Sequence, residues 1–426
     1  MIRRLGYCCI NLELKEELNI TTNRGMKKAT FEKKGINYAR ELAKHNLVDL
    51  LHTLQWNERN GIKLFRITSQ LFPWSSHYEL KDLPNFDDIH MKLMDIGDFI
   101  KGHDHRVSFH PGPFNVLGSD NLETVNKTIR ELNQHSEILD LMGLERTHYY
   151  PINVHLNTTK GGKDEVIYRF IENFKFLSSG TKKRLVIEND DSPNQYDVLD
   201  LYEVYKRIGT PITFDYLHFI LGPKYNYIDG TYNYNSEKFI ATLLNHFFVA
   251  FNTWGKVTPL FHYSESRLLE EKDCRAHSHS DYYLEYPLQP EQHMSQLQET
   301  YSVDIDLECK MKEKSLFKMK NSKNKDMSIA KKVLALPKTD PQRKPLMKIY
   351  FPENFAKEYP TDSSLPGNEI LSLLKGDLVK GVKDGFPFEG KIVKYSSNKS
   401  IGIEPKTNNP CDEILFVCKE DIKEKL

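Results

Sequence analysis

Residues 184–219 read RLVIENDDSPNQYDVLDLYEVYKRIGTPITFDYLHF. A short β-branched run, Leu185–Glu188, opens this stretch, and a second, Ile212–Asp215, closes it. Between them Asp197–Ile208 spaces its apolar residues as an amphipathic helix does, and Gly209 and Pro211 stop it. A strand, a helix and a strand in that order need a crossover, so the two strands run parallel. Each strand delivers an acid at its end, Glu188 and Asp215, and His218 follows one turn after the second.

The same alternation extends in both directions. Further strands are expected at Leu5–Cys8, Lys63–Ile67, Val107–His110, Ile152–Leu156, Leu260–Tyr263 and Val303–Glu308. Helical stretches fall at Glu32–Asn60, Leu122–Met142, Glu165–Phe176 and Glu237–Phe251. Eight strands with helical crossovers suit a closed (β/α)8 TIM barrel. An open doubly wound sheet is the alternative, but the first strand lacks the glycine-rich turn of its dinucleotide-binding form.

The ends of six successive strands carry the chemistry: His110, His155, Glu188, Asp215 with His218, His262 and Glu308. In a barrel these ends converge on one mouth, where active sites sit. Histidine with carboxylate suits Zn, Mn or Fe, and the absence of thiolate from the set argues against a structural zinc site. The set exceeds the three or four ligands of one catalytic ion, which implies two or three. Paired ions serve in-line displacement at phosphorus, and sugar isomerases use them too, so the ligand set leaves both open.

The chain has 426 residues, enough for a barrel and an appendage, with 39% hydrophobic and 28% charged residues. Its formal net charge is zero, less basic than many DNA-binding proteins. Carboxylates of a metal site would cancel lysines in that total. The six cysteines form no CxxC pair and suggest a reducing compartment. No signal peptide or membrane span is apparent, so a soluble, intracellular protein is expected, nuclear or cytoplasmic. A monomer is expected.

Lys310–Lys348 holds thirteen Lys/Arg against three acids and reads as a solvated helix, a linker or a phosphate-contacting arm. Beyond it, GDLVKGV (376–382), EGKIVKY (389–395), SIGIEP (400–405) and EILFVCKEDI (413–422) read as short strands of a small, mostly-β, SH3-like unit. The expected division is a catalytic barrel over 1–315, a Lys-rich linker over 316–348 and a β-rich unit over 349–426.

Ten tags in order carry a resemblance: RRLGYCCINLEL (3–14), TTNR (21–24), NGIKLFRITSQLFPWSSH (60–77), SFHPGP (108–113), VHLN (154–157), IENDD (187–191), FDYLHF (214–219), FHYSES (261–266), HSHSDYY (277–283) and DLECKMKE (306–313). Together they resemble the ultraviolet damage endonuclease family, across about residues 1–315. The resemblance implies a TIM barrel with divalent ions, typically manganese. The implied reaction is metal-assisted hydrolysis of damaged double-stranded DNA on the 5′ side of photoproducts. It implies metal ligands at His110, His155, Glu188, Asp215, His218, His262 and Glu308, with either His277 or His279 and also His77. Glu188, His155, Glu308 and Lys163 would take part in catalysis. Tyr7, Asn11 and Phe114 would read the lesion. Two departures from the resemblance stand out: Pro113 stands where relatives usually carry a glutamine, and Leu260 where several carry a lysine, sometimes carboxylated to bridge metals. An abasic-site endonuclease of the endonuclease IV type, a sugar isomerase and a non-enzymatic lesion-binding module are the competing readings.

Overall fold

The computed structural model describes residues 2–222, 233–234, 236–285, 301–321 and 328–359, and the backbone of five later strands. Two compact units result, Met1–Glu358 and Tyr359–Leu426.

The first unit is built on eight parallel strands: β1 (Ile2–Cys9), β2 (Leu64–Ile67), β3 (Arg106–Phe109), β4 (Ile152–Val154), β5 (Leu185–Glu188), β6 (Ile212–Thr213), β7 (Leu260–Tyr263) and β8 (Val303–Leu307). Their order is β6-β5-β4-β3-β2-β1-β8-β7. A single parallel bridge, Asp215 to His262, with the His262 amide donating to the Phe214 carbonyl at 3.0 Å, joins β6 to β7. The eight strands thereby form a nearly closed (β/α)8 barrel. Strands β2 to β8 are buried at every position, as expected when helices cover the outer face and side chains fill the inner one. Gly6 of β1 is required by close approach: a Cβ there would lie 2.5 Å from the Leu64 carbonyl oxygen and 2.8 Å from Asp306 Oδ1.

The covering helices are α1 (Leu12–Leu18), α2 (Lys28–Arg59, interrupted at Gly35), α3 (Phe86–Gly102), α4 (Leu122–Leu141), α5 (Lys163–Phe174), α6 (Ser179–Lys182), α7 (Val198–Ile208), α8 (Tyr216–Leu221) and α9 (Glu237–Asn252). The opening βαβ stretch folds as read: Asp197 and Asp200 form a capping box on α7, and Gly209 ends it at φ 70°. Four helices follow the barrel: α10 (Lys312–Asn321), α11 (Ile329–Ala335), α12 (Arg343–Tyr350) and α13 (Pro352–Glu358). Leu316, Ile329, Val333, Leu346, Met347 and Tyr350 join the barrel's core, so much of the lysine-rich stretch covers apolar surface with its inward face. Gln342 Nε2 donates to the Leu268 carbonyl at 2.9 Å, and the Tyr234 amide donates to the Tyr350 carbonyl at 2.7 Å. Among the described residues no helix is long and apolar enough to cross a membrane.

The second unit holds five strands, β9 (Leu378–Lys383), β10 (Phe386–Tyr395), β11 (Ser400–Pro405), β12 (Leu415–Cys418) and β13 (Ile422–Lys425). They form one antiparallel sheet in the order β12-β11-β10-β9-β13.

Candidate metal centre

Each strand from β3 to β8 hands a polar side chain to the C-terminal pole. His110, His155 and Glu308 directly follow β3, β4 and β8, while Glu188 and His262 lie in β5 and β7. Asp215 caps α8, accepting from the His218 amide at 2.7 Å, and so presents the two side chains together.

These groups converge. Four overlapping donor sets each lie within 4.8 Å: His110–His262–Glu308, His110–His155–Glu188, His218–His279–Glu308 and Glu188–Asp215–His218. Glu188 is the hub. Its Oε2 lies 3.1 Å from His110 Nε2, 3.1 Å from His262 Nδ1 and 3.7 Å from His155 Nε2, and its Oε1 lies 3.2 Å from His218 Nδ1. Glu308 spans a second pair, with Oε1 3.5 Å from His262 Nδ1 and Oε2 3.4 Å from His279 Nδ1.

The imidazoles are oriented from behind. His110 Nδ1 donates to the Pro111 carbonyl at 3.2 Å, and His218 Nδ1 to the Asn189 carbonyl at 2.9 Å. His279 Nδ1 donates to the Glu308 carbonyl at 3.2 Å, and His155 Nδ1 faces Asp190 Oδ1 at 3.3 Å. A carbonyl can only accept, so Nδ1 of His110, His218 and His279 carries a proton. In His110, kept neutral by burial, this leaves Nε2, the atom facing Glu188, with a lone pair, the usual arrangement of a ligating histidine. Asn189 does more: its amide nitrogen donates to the Asp215 carbonyl at 3.0 Å, and its amide oxygen accepts from the Asp215 backbone at 2.9 Å. Asn153 donates to Glu188 Oε2.

Burial sets the electrostatics. It pushes the His110 imidazole down to about 4 and thus keeps it neutral. It would also lower His155, but the Glu188 and Asp190 carboxylates carry that group up to about 9. Asp215 is pushed up to about 6 by burial. Burial opposes ionisation of Glu188 and Glu308, yet His262 and His155 around the first, and Arg66 and His262 around the second, hold both well below the usual carboxylate range. Protonated imidazoles thus compensate the buried acids, a task that divalent cations perform equally.

The donors fit such cations. Glu188 Oε1 and Asp215 Oδ2 are buried without a hydrogen-bond partner. His218 Nδ1, the near neighbour of Glu188 Oε1, is already directed at a carbonyl. Orphaned buried carboxylate oxygens facing imidazoles are expected of a metal site and costly without one.

Other expected residues sit elsewhere. His279 joins the cluster, whereas His277 is half exposed and pairs with Asp191 Oδ2 at 2.8 Å. His77 is exposed, its ring 4.9 Å from that of Trp74, and it belongs to none of the four sets. Lys163 opens α5 and is paired with Asp200 over the Tyr196 ring. Tyr7 and Asn11 lie at the end of β1 but are buried: the Asn11 amide donates to the Tyr7 hydroxyl at 2.9 Å, and that hydroxyl donates to Asn57 Oδ1 at 2.6 Å. Phe114, in the loop after β3, is 89% exposed. Leu260 is buried in β7. Sequence reasoning missed Arg66, Asn153 and Asp190. Arg66 and Asn153 lie inside strands, where a polar residue breaking an apolar run was their one signal, and Asp190 lies in the polar loop just after β5.

The barrel and this centre define a class: (β/α)8 proteins that gather imidazoles and acids at the C-terminal pole of eight parallel strands. Comparison with known proteins narrows it. The model of the family "UV-endonuclease UvdE" matches residues 3–337. The chain is 32% identical over 323 residues to the UV DNA damage endonuclease of Clostridium perfringens, covering 75% of this chain and 70% of that one. It is 29% identical over 323 residues to the UV-damage endonuclease of Schizosaccharomyces pombe, covering 74% of this chain and 50% of that longer one. The crystal structure of SacUVDE superposes with a TM-score of 0.57 at 32% identity, over 74% of this chain and 96% of that one. The chain belongs to the UV-endonuclease UvdE family. It is accordingly an endonuclease of DNA repair, with DNA as its substrate.

Proposed function

We propose that the chain incises duplex DNA immediately 5′ to ultraviolet photoproducts, with divalent ions, manganese foremost, held by His110, His155, Glu188, Asp215, His218, His262, His279 and Glu308. The observation that carries this reading is the set of four donor groups sharing Glu188 and Glu308 at the barrel's pole. Bound there, divalent ions supply a hydroxide near neutral pH and offset charge on the scissile phosphate. The chain's own part is orientation: Asn189, Asp190 and Asn153 fix the donors before substrate arrives.

Lesion contact falls to Phe114, an exposed ring four residues after His110. A crosslinked dimer stacks poorly, so it leaves the helix more easily than normal bases do, and an aromatic face replaces part of the stacking. Tyr7 and Asn11, buried and bonded to each other, hold the corner between β1 and α1. Lys163 lies at the start of α5, within reach of a phosphate only if it leaves Asp200.

The test is incision of end-labelled duplexes carrying one cyclobutane dimer, one abasic site or no lesion, with manganese and the cut mapped to the nucleotide. The dimer duplex is expected to be cut on its 5′ side. Phe114→Ala should lower the preference for dimer over undamaged DNA about tenfold, in line with stacking worth about 1–3 kcal/mol per base. Preferential cutting at the abasic site, or equal cutting of undamaged DNA, overturns the photoproduct assignment.

A further inference from the structure

Beneath the donor cluster lies a cation that no ligand role explains. Arg66 projects from β2 into the barrel, level with Cys8 of β1 and Ser108 of β3. It is buried, and its Nη2 reaches both the Cys8 thiol and Glu308 Oε1. Asp306 is the next acid along β8 and contributes to its electrostatic surroundings. Asp306 Oδ2 accepts from Ser108 Oγ at 3.3 Å, while Asp306 Oδ1 has no hydrogen-bond partner.

A buried guanidinium is costly anywhere, and here its field opposes the entry of divalent cations. Glu308, Asp306 and the Cys8 thiol compensate its charge, and its contact to Glu308 also sets a geometry. Glu308 is the one acid shared by the His110–His262 and His218–His279 donor sets. Its oxygens divide the work, Oε1 towards His262 and Oε2 towards His279. That division depends on the carboxylate torsion, and Arg66 grips Oε1 from the barrel interior. Free of Arg66, the carboxylate could present either oxygen to His262 and to His279.

We infer that Arg66 is a positioning residue: it locks the Glu308 carboxylate so that one oxygen serves each of two donor sets. The inference rests on the metal reading above. Arg66 meets both the Cys8 thiol and Glu308 Oε1 through Nη2, held in the guanidinium plane. Lysine keeps the charge but is a freely rotating point donor, so Arg66→Lys separates positioning from charge balance.

The experiment titrates the full chain with Mn2+, reading free ion by electron paramagnetic resonance, for the wild type, Arg66→Lys and Arg66→Gln. Melting curves without metal and kcat and KM for dimer incision accompany it. Arg66→Lys is expected to melt like the wild type yet bind its weakest Mn2+ about 10–100-fold less tightly, the usual cost of losing a group that orients a ligand. Its kcat should fall with KM for DNA unchanged, and Arg66→Gln should be no better. An Arg66→Lys isotherm matching the wild type overturns the inference while leaving the proposed function intact. So does loss of fold in both variants, which would make Arg66 structural. A wild-type chain that binds no Mn2+ sinks both readings.

Discussion

The barrel buries charge at both ends of its interior and treats the two ends differently. At the N-terminal floor, Arg106 is fully buried, yet its Nη1 meets Asp304 Oδ2 at 3.0 Å and the Thr258 carbonyl at 2.8 Å, and its Nε donates to the Tyr149 carbonyl at 2.8 Å. Arg4 Nη1 reaches the same Asp304 Oδ2 at 3.3 Å. At the C-terminal pole, Glu188 and Asp215 are equally buried and, like Asp304 at the floor, each keeps an oxygen without a hydrogen-bond partner. The charged groups around these two, however, are imidazoles and another acid rather than arginines. The floor answers acids with arginines inside the protein. The pole assembles acids and imidazoles whose partners on the far side hold them while their near sides face one another. The difference separates groups kept for stability from groups kept for a ligand.

Four experiments break or sharpen that contrast. The largest effect is expected from Glu188→Gln, which removes the hub of the pole. Incision of irradiated plasmid should fall about a thousandfold or more, while the metal-free melting temperature changes little, because the imidazoles that Glu188 keeps protonated lose their proton along with it. Unchanged nicking with a lowered melting temperature would make the pole another structural network. Arg106→Met reverses the pattern at the floor. Urea unfolding should show a loss of about 3–5 kcal/mol, from an aspartate left buried without its main partner, and adding Asp304→Asn should recover part of it. Per folded molecule, Mn2+ stoichiometry should stay as in the wild type.

Asn189→Ala tests whether the pole is held from behind. It removes the amide that binds the Asp215 backbone twice, and Mn2+ affinity per folded molecule is expected to fall about 10–100-fold, alongside a stability loss of about 1–3 kcal/mol from the orphaned backbone groups. The smallest effect concerns His148, at the floor, whose imidazole burial lowers to about 4. The unfolded chain binds the proton more readily, at the ordinary value of 6.5, so stability is whole above that pH and lost as pH falls through the window towards 4. Between pH 7 and pH 5 the loss should be about 1–2 kcal/mol, and His148→Asn should flatten the slope. A slope unchanged by the substitution would move the titration to another group.

The strand positions were legible because buried parallel strands read as short apolar runs between amphipathic helices, and here the runs fall within a residue or two of β2 to β8. The donors at their ends were legible for the same reason: a strand fixes where its last residue goes, and all parallel strands point the same way. Loop residues obey no such rule. His277 and His279 differ by two positions, yet one faces Asp191 and the other Glu308. His77 carries a motif's histidine but lies outside the cluster, beside Trp74. Helix α3 was overlooked, although Ile89, Leu93, Ile96 and Ile100 bury one of its faces.

By itself, then, the sequence determined the eightfold alternation and the list of imidazoles and acids that end the strands, because periodicity and strand direction are local properties of the chain. Only the tertiary structure decided which of those groups share an oxygen, which are gripped from behind and which stay in solvent. Arg66 shows why: its role depends on Cys8 and Ser108, brought level with it by strand register, and on Asp306 and Glu308 at the end of β8, all from distant parts of the chain. Registers of this kind are set by packing across the whole barrel, and no short window of residues encodes them.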